Sequence, residues 1–105
     1  MNNEVEFITA EIIALNFDLQ LPENEDEKLF SLMRERLIDC LNYLLNHNFE
    51  KLLWILYRID VDEQLVKNTL AGNPDKPASE LLADLIIQRQ IKKAETRIKY
   101  RSGEL

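Results

Sequence analysis

The chain holds one cysteine and one histidine, Cys40 and His47. About two helical turns separate them, so a thiol–imidazole nucleophile pair is the first chemistry to weigh. The corner Asn46-His47-Asn48 spoils any fixed alignment of the two, because asparagine tolerates left-handed backbone and caps helices. Cys40 therefore reads as a small core residue and His47 as a helix-end residue. No Cys/His pairs are spaced for zinc, and two isolated glycines cannot build a phosphate loop. Carboxylates are the plentiful groups. Glu23, Glu25, Asp26 and Glu27 lack the glycine of a calcium loop. Asp60, Asp62 and Glu63 are explained by capping, with Asp60 as the cap and Glu63 reaching back to it.

One acidic pair stands in SELLADLIIQ, residues 79–88. In hydrophobic rhythm this stretch resembles the second acidic motif of the MazG-like all-α nucleotide pyrophosphohydrolases. Those enzymes hold magnesium with an E-x-x-E on one helix and an E-x-x-D on another. The resemblance implies metal-dependent hydrolysis, but the chain departs from the pattern. Leu81 occupies the glutamate position, Glu80 and Asp84 stand four apart, and no E-x-x-E precedes them on a clear helix. Without a catalytic constellation the chain reads as non-enzymatic, with no cofactor and no metal.

Composition sets the scaffold available to any site. At 105 residues, 46% hydrophobic and 30% charged, the chain has the size and balance of one folded domain, 1–105. Only two glycines and three prolines are available for turns, and the apolar spacing is mostly helical, so the fold class is all-α. No apolar run of transmembrane length occurs, and MNNEVEF has neither the basic nor the apolar region of a signal peptide. A lone cysteine cannot form an internal disulfide. These features together predict a cytoplasmic protein that does not enter membranes.

Charge is polarised along the chain. Residues 1–31 hold eight acids against one base, whereas residues 88–101 hold six bases against one acid. Those bases, Arg89, Lys92, Lys93, Arg97, Lys99 and Arg101, form a candidate basic patch for a phosphate backbone. The net charge of −6 opposes generic nucleic-acid binding. A solvated helix face that complements its dipole is the plainer reading.

Val5, Ile8, Ile12 and Leu15 predict a first helix over 3–15. The alternation Leu15, Phe17, Leu19, Leu21 then predicts an extended arm, or a strand whose partner lies in another subunit. This N-terminal helix and arm make up residues 1–24, a helical core 25–88, and a basic helix end 89–105. PENEDE, residues 22–27, opens a long helix from about Glu25 to Asn46 with the stripe Leu29, Met33, Leu37, Cys40, Leu41 and Leu44. A third helix spans about Phe49 to Ile59 and a fourth Val61 to Leu70, stopped by Ala71-Gly72-Asn73-Pro74. The last runs from Pro77 to about Tyr100, and RSGEL frays.

The third helix is unusual: six apolar residues run from Leu52 to Tyr57. Phe49, Leu52, Leu53, Ile55, Leu56 and Ile59 cover over half its wheel, so it is expected to be the central helix, enclosed by its neighbours. Trp54 falls instead in the polar sector, between Glu50 and Arg58, with Tyr57 at its edge. Either the 15–21 arm covers it, or Trp54, Tyr57 and Arg58 form an exposed contact patch of residue types enriched in binding hot spots. In the last helix Ile87, Ile91, Ala94 and Ile98 make a narrow coiled-coil-like seam. Arg89, Lys92, Lys93 and Lys99 are expected on its solvent side. The seam either packs on the first helix within the chain or joins two chains. The stretch LLWILYRIDVDE also resembles sequence in small uncharacterised bacterial all-helical proteins, which implies class and compartment and no activity. The sequence thus predicts a bundle of about five helices that serves as an interaction or regulatory module, binding itself or another protein.

Overall fold

The computed structural model describes residues 3–23, 28–72 and 75–103. It is all helix, with no strand among the described residues: α1 (Asn3–Phe17), α2 (Leu29–His47), α3 (Phe49–Arg58), α4 (Glu63–Leu70) and α5 (Ala78–Arg101). The acidic turn predicted to open α2 lies mostly outside the described residues, as do Asn73 and Pro74 of the predicted stop.

Three helices make the main core. α1, α2 and α5 each touch the other two, while α3 packs on α2 and α4 on α5. At about 1.5 Å per residue α5 is about 36 Å long, close to the 40 Å long axis of the molecule. Met33, Leu37 and Leu41 of α2, Leu52 of α3 and Leu82 and Ile86 of α5 are all fully buried. Burial of each such side chain favours folding by about 1.5–3 kcal/mol. Of the predicted α2 stripe only Cys40 is not buried, and its Sγ lies 3.9 Å from the Phe17 carbonyl oxygen.

The end of α1 departs from the sequence expectation. The helix runs through Phe17, and among the described residues neither a strand nor a strand partner comes after it. Asp18 adopts left-handed backbone at φ 55, and the Leu19 amide donates back to the Ala14 carbonyl at 2.9 Å. That is a Schellman closure, in which the residue after the left-handed one folds back over the last turn. The alternation in the sequence is thus two patterns in series. Phe17 is the last core position of a helix, whereas Leu19 and Leu21 are half-buried after it and Leu15 is exposed.

α3 closes with a left-handed residue as well. Asp60 has φ 60, its amide donates to the Tyr57 carbonyl and the Val61 amide to that of Leu56. Asp60 is therefore the stop of α3, and the predicted cap of α4 moves to Asp62, whose carboxylate accepts from the Leu65 amide at 3.0 Å. Aspartate visits this region at a cost that glycine avoids. Asp18→Gly should therefore stabilise the protein by about 0.5–1 kcal/mol, read as a higher urea midpoint at unchanged slope. A lower midpoint would mean that the Asp18 side chain contributes more than its backbone costs.

Candidate functional site: the outer face of α3

α3 starts at Asn48, whose side chain accepts from the Lys51 amide at 3.2 Å. The ten residues after it divide cleanly. Leu52, Ile55 and Leu56 are buried against the core, with Ile59 just beyond the helix. The opposite face is bare: Trp54 is 68% exposed, Tyr57 85%, Leu53 44% and Phe49 42%. The expectation that α3 is enclosed on all sides is corrected by these values. A helix can be apolar over most of its wheel without being covered over most of it, and only the sector against α2 is fully covered here.

Trp54 sits where the wheel puts it, between Glu50 and Arg58. The 15–21 segment does not cover it. Leu19 and Leu21 of that segment pack against the main core, and the Gln20 carbonyl accepts from Arg36. Glu50, Leu53, Trp54, Tyr57 and Arg58 together line a shallow cleft of about 460 Å³. Leu53 belongs to this patch, although its place on the wheel is with the apolar face. The signal that could have found it is its position one turn before Tyr57.

The C-terminal end of α3 is anchored by α5. Gln90 Nε2 and Lys93 Nζ of α5 donate to the Ile59 carbonyl at 3.2 and 3.0 Å, and Arg89 Nε donates to the Asp60 carbonyl at 3.1 Å. Lys93 also pairs with the Asp60 carboxylate at 3.0 Å. Two cations thus sit at the negative end of α3, where the helix dipole favours them. Arg58 Nη2 donates to the Asn16 carbonyl at 3.3 Å, tying α3 to the end of α1. One bond of this kind leaves most of the five guanidinium donors free.

The basic patch is consequently divided. Arg89 and Lys93, expected on the solvent side, are turned inward as clamps. Arg101 pairs with Glu4 across the α1–α5 contact. Lys92, Arg97 and Lys99 remain exposed. The seam is likewise occupied: Ala94 is fully buried against Val5 and Ile8, with Ile91 and Ile98 packed beside them, and Ile87 lies in the main core. Of its two readings, the packing of α1 on α5 within one chain is the one the fold adopts. Ile87 and Ala94 are buried, and Ile91 and Ile98 are half-buried. Ile86 and Gln90, which the seam spacing does not single out, share the buried side of α5.

The groups weighed for chemistry lie apart. Asp84 pairs with Arg34 at 3.0 Å. His47, exposed at the end of α2, lies against the Tyr43 ring at a centroid distance of 4.7 Å. Among the described residues no three of His, Cys, Asp and Glu gather as a metal site. Half-buried Cys40 has its thiol pKa raised, chiefly by burial, with nearby Lys51 opposing and Asp18 adding to the effect. A raised pKa means less thiolate at any given pH. Cys40 should therefore react with a disulfide reagent at mildly alkaline pH several-fold more slowly in the folded chain than in denaturant. Equal rates would place the thiol in free solvent.

Among the described residues no helix is long and apolar enough to cross a membrane. Comparison with known protein families, curated proteins and solved structures returns no match to this chain.

Proposed function

We propose that this chain is a self-associating interaction module, not an enzyme, and that its contact surface is the outer face of α3. One observation carries the reading: the single tryptophan and its neighbour Tyr57 point to solvent from a helix whose other face is built into the core. Contiguous exposed apolar area of this kind marks contact sites, and Trp, Tyr and Arg are the types that dominate binding energy. The anchoring of Ile59 and Asp60 by α5 supports it further, since a surface held in place before contact loses little entropy on binding.

The alternative of a phosphate backbone tracked along α5 has less support, because Arg89, Lys93 and Arg101 already have partners within the chain. Metal-dependent pyrophosphohydrolysis has less still, since the Asp84 carboxylate is engaged by Arg34. A cytoplasmic setting suits a lone, half-buried thiol.

The test is molar mass against concentration by light scattering, with Trp54 emission followed in parallel. Association through α3 should raise the mass toward that of a dimer while the emission moves to shorter wavelength, as the only indole leaves water. A mass increase without an emission change would place the contact on another surface.

A further inference from the structure

We infer that the second copy docks on α3 antiparallel, about a two-fold axis passing near Trp54, with Glu50 of each chain opposite Arg58 of the other. This rests on α3 being the contact surface and adds its partner geometry. The basis is the order of charge along the face. Glu50, Trp54 and Arg58 fall at i, i+4 and i+8, one row of the helix. The acid and the base are about 12 Å apart along the axis, equidistant from the indole.

Turning a second α3 by 180° about Trp54 places residue 50 over residue 58 twice, so both contacts join opposite charges. A parallel arrangement sets Glu50 on Glu50 and Arg58 on Arg58, two like-charge contacts that oppose association. The same two-fold returns each flank of the row to its own side, so Tyr57 of one chain lies beside Tyr57 of the other. Lys51 is exposed and flanks the row on the side away from Tyr57. The face is thus complementary to itself, which is the condition for an isologous dimer.

Area agrees with this occupant. At 68% and 85% exposure, Trp54 and Tyr57 offer roughly 300 Å² of apolar surface between them. A stable interface covers about 800 Å² on each partner. Leu53 and the stems of Glu50 and Arg58 line the same cleft as the two rings and extend this surface, with exposed Lys51 and Phe49 on the same helix.

The deciding experiment uses the full chain and two charge variants, Glu50→Lys and Arg58→Glu, with molar mass as the readout. Each variant alone carries two like-charge contacts in the antiparallel dimer and should dissociate about tenfold more readily than the parent chain, or more. In an equal mixture the introduced lysine of one variant faces the introduced glutamate of the other. The unchanged Arg58 and Glu50 face each other at the second contact. Both contacts then join opposite charges, and the mixture should recover the dimer. Since Arg58→Glu also removes the bond to the Asn16 carbonyl, Arg58→Gln, which removes the same bond without adding a like charge, is its control, and Glu50→Gln that of Glu50→Lys. Each control is expected to weaken the dimer less than its charge-reversed counterpart. Far-UV circular dichroism checks that every variant is folded.

Recovery on mixing supports the antiparallel register. A dimer abolished by Trp54→Ala but unmoved by either charge variant overturns the register and leaves α3 as the contact surface. A dimer insensitive to Trp54→Ala overturns both. A parent chain that stays monomeric into the high micromolar range overturns self-pairing.

Discussion

Leu56→Ala should destabilise the protein by about 2–5 kcal/mol, whereas Leu53→Ala, three residues earlier in the same apolar run, should cost less than about 1 kcal/mol. The two side chains are chemically identical and differ only in the direction they face. Leu56 is 3% exposed and packed in the main core, so truncation leaves a cavity that the close-packed side chains around it can close only in part. Leu53 is 44% exposed and outside the buried core, so its loss removes less of what folding had buried and leaves no enclosed cavity. Urea titration of both variants gives the comparison directly. At about 4–8 °C per kcal/mol for a chain near this size, the Leu56 variant should also lose roughly 10 °C or more in Tm. Equal costs at the two positions would mean that α3 is covered on both faces and that the patch is not available for contact.

The second large effect belongs to Trp54→Ala. Truncation of a central aromatic anchor commonly costs about 2 kcal/mol or more of binding energy. Self-association should accordingly weaken by about 30-fold or more. At protein concentrations too low for association, stability should remain within about 0.5 kcal/mol of the parent chain, since Trp54 makes little of the core. That separation is the informative part. A residue that matters for mass and not for folding is a contact residue. One that matters mainly for folding would return Trp54 to the role of a packed aromatic and take the proposed interface with it.

Both predictions turn on distinctions that the sequence expresses only in part. The α2 stripe is legible because Leu29, Met33, Leu37, Leu41 and Leu44 repeat at three- and four-residue spacing over a long helix, and all five are buried. The corner at Asn48 is legible from local chemistry, since the side chain that caps α3 belongs to the residue at the break. Trp54 lies where its wheel places it, because angular position depends on the helical repeat alone.

The end of α1 reads as an extended arm because a left-handed aspartate gives no signal in hydrophobic periodicity. Asp18 and Asp60 each end a helix, yet each is also an ordinary acid in an acidic chain. Their neighbours Leu19 and Val61 settle the backbone conformation, folding back toward the core once there is a core to fold onto. The basic end of α5 is deceptive for a related reason. Arg89 and Lys93 have no partners until the α3–α4 corner arrives with the carbonyls of Ile59 and Asp60, residues some thirty positions earlier.

Local spacing alone is enough to specify five helices, their approximate limits, and the side of α3 on which Trp54 lies. Each depends on neighbours within a few residues, whose separation fixes which side chains share a face. Which apolar faces are covered is settled by the assembled fold. α1 takes the seam of α5 and α2 takes one side of α3, while the side that carries Trp54 and Tyr57 is left largely exposed. Coverage depends on how many surfaces compete for each face and how the connections let them reach it. That is a property of the whole chain, and it leaves Trp54 and Tyr57 in water.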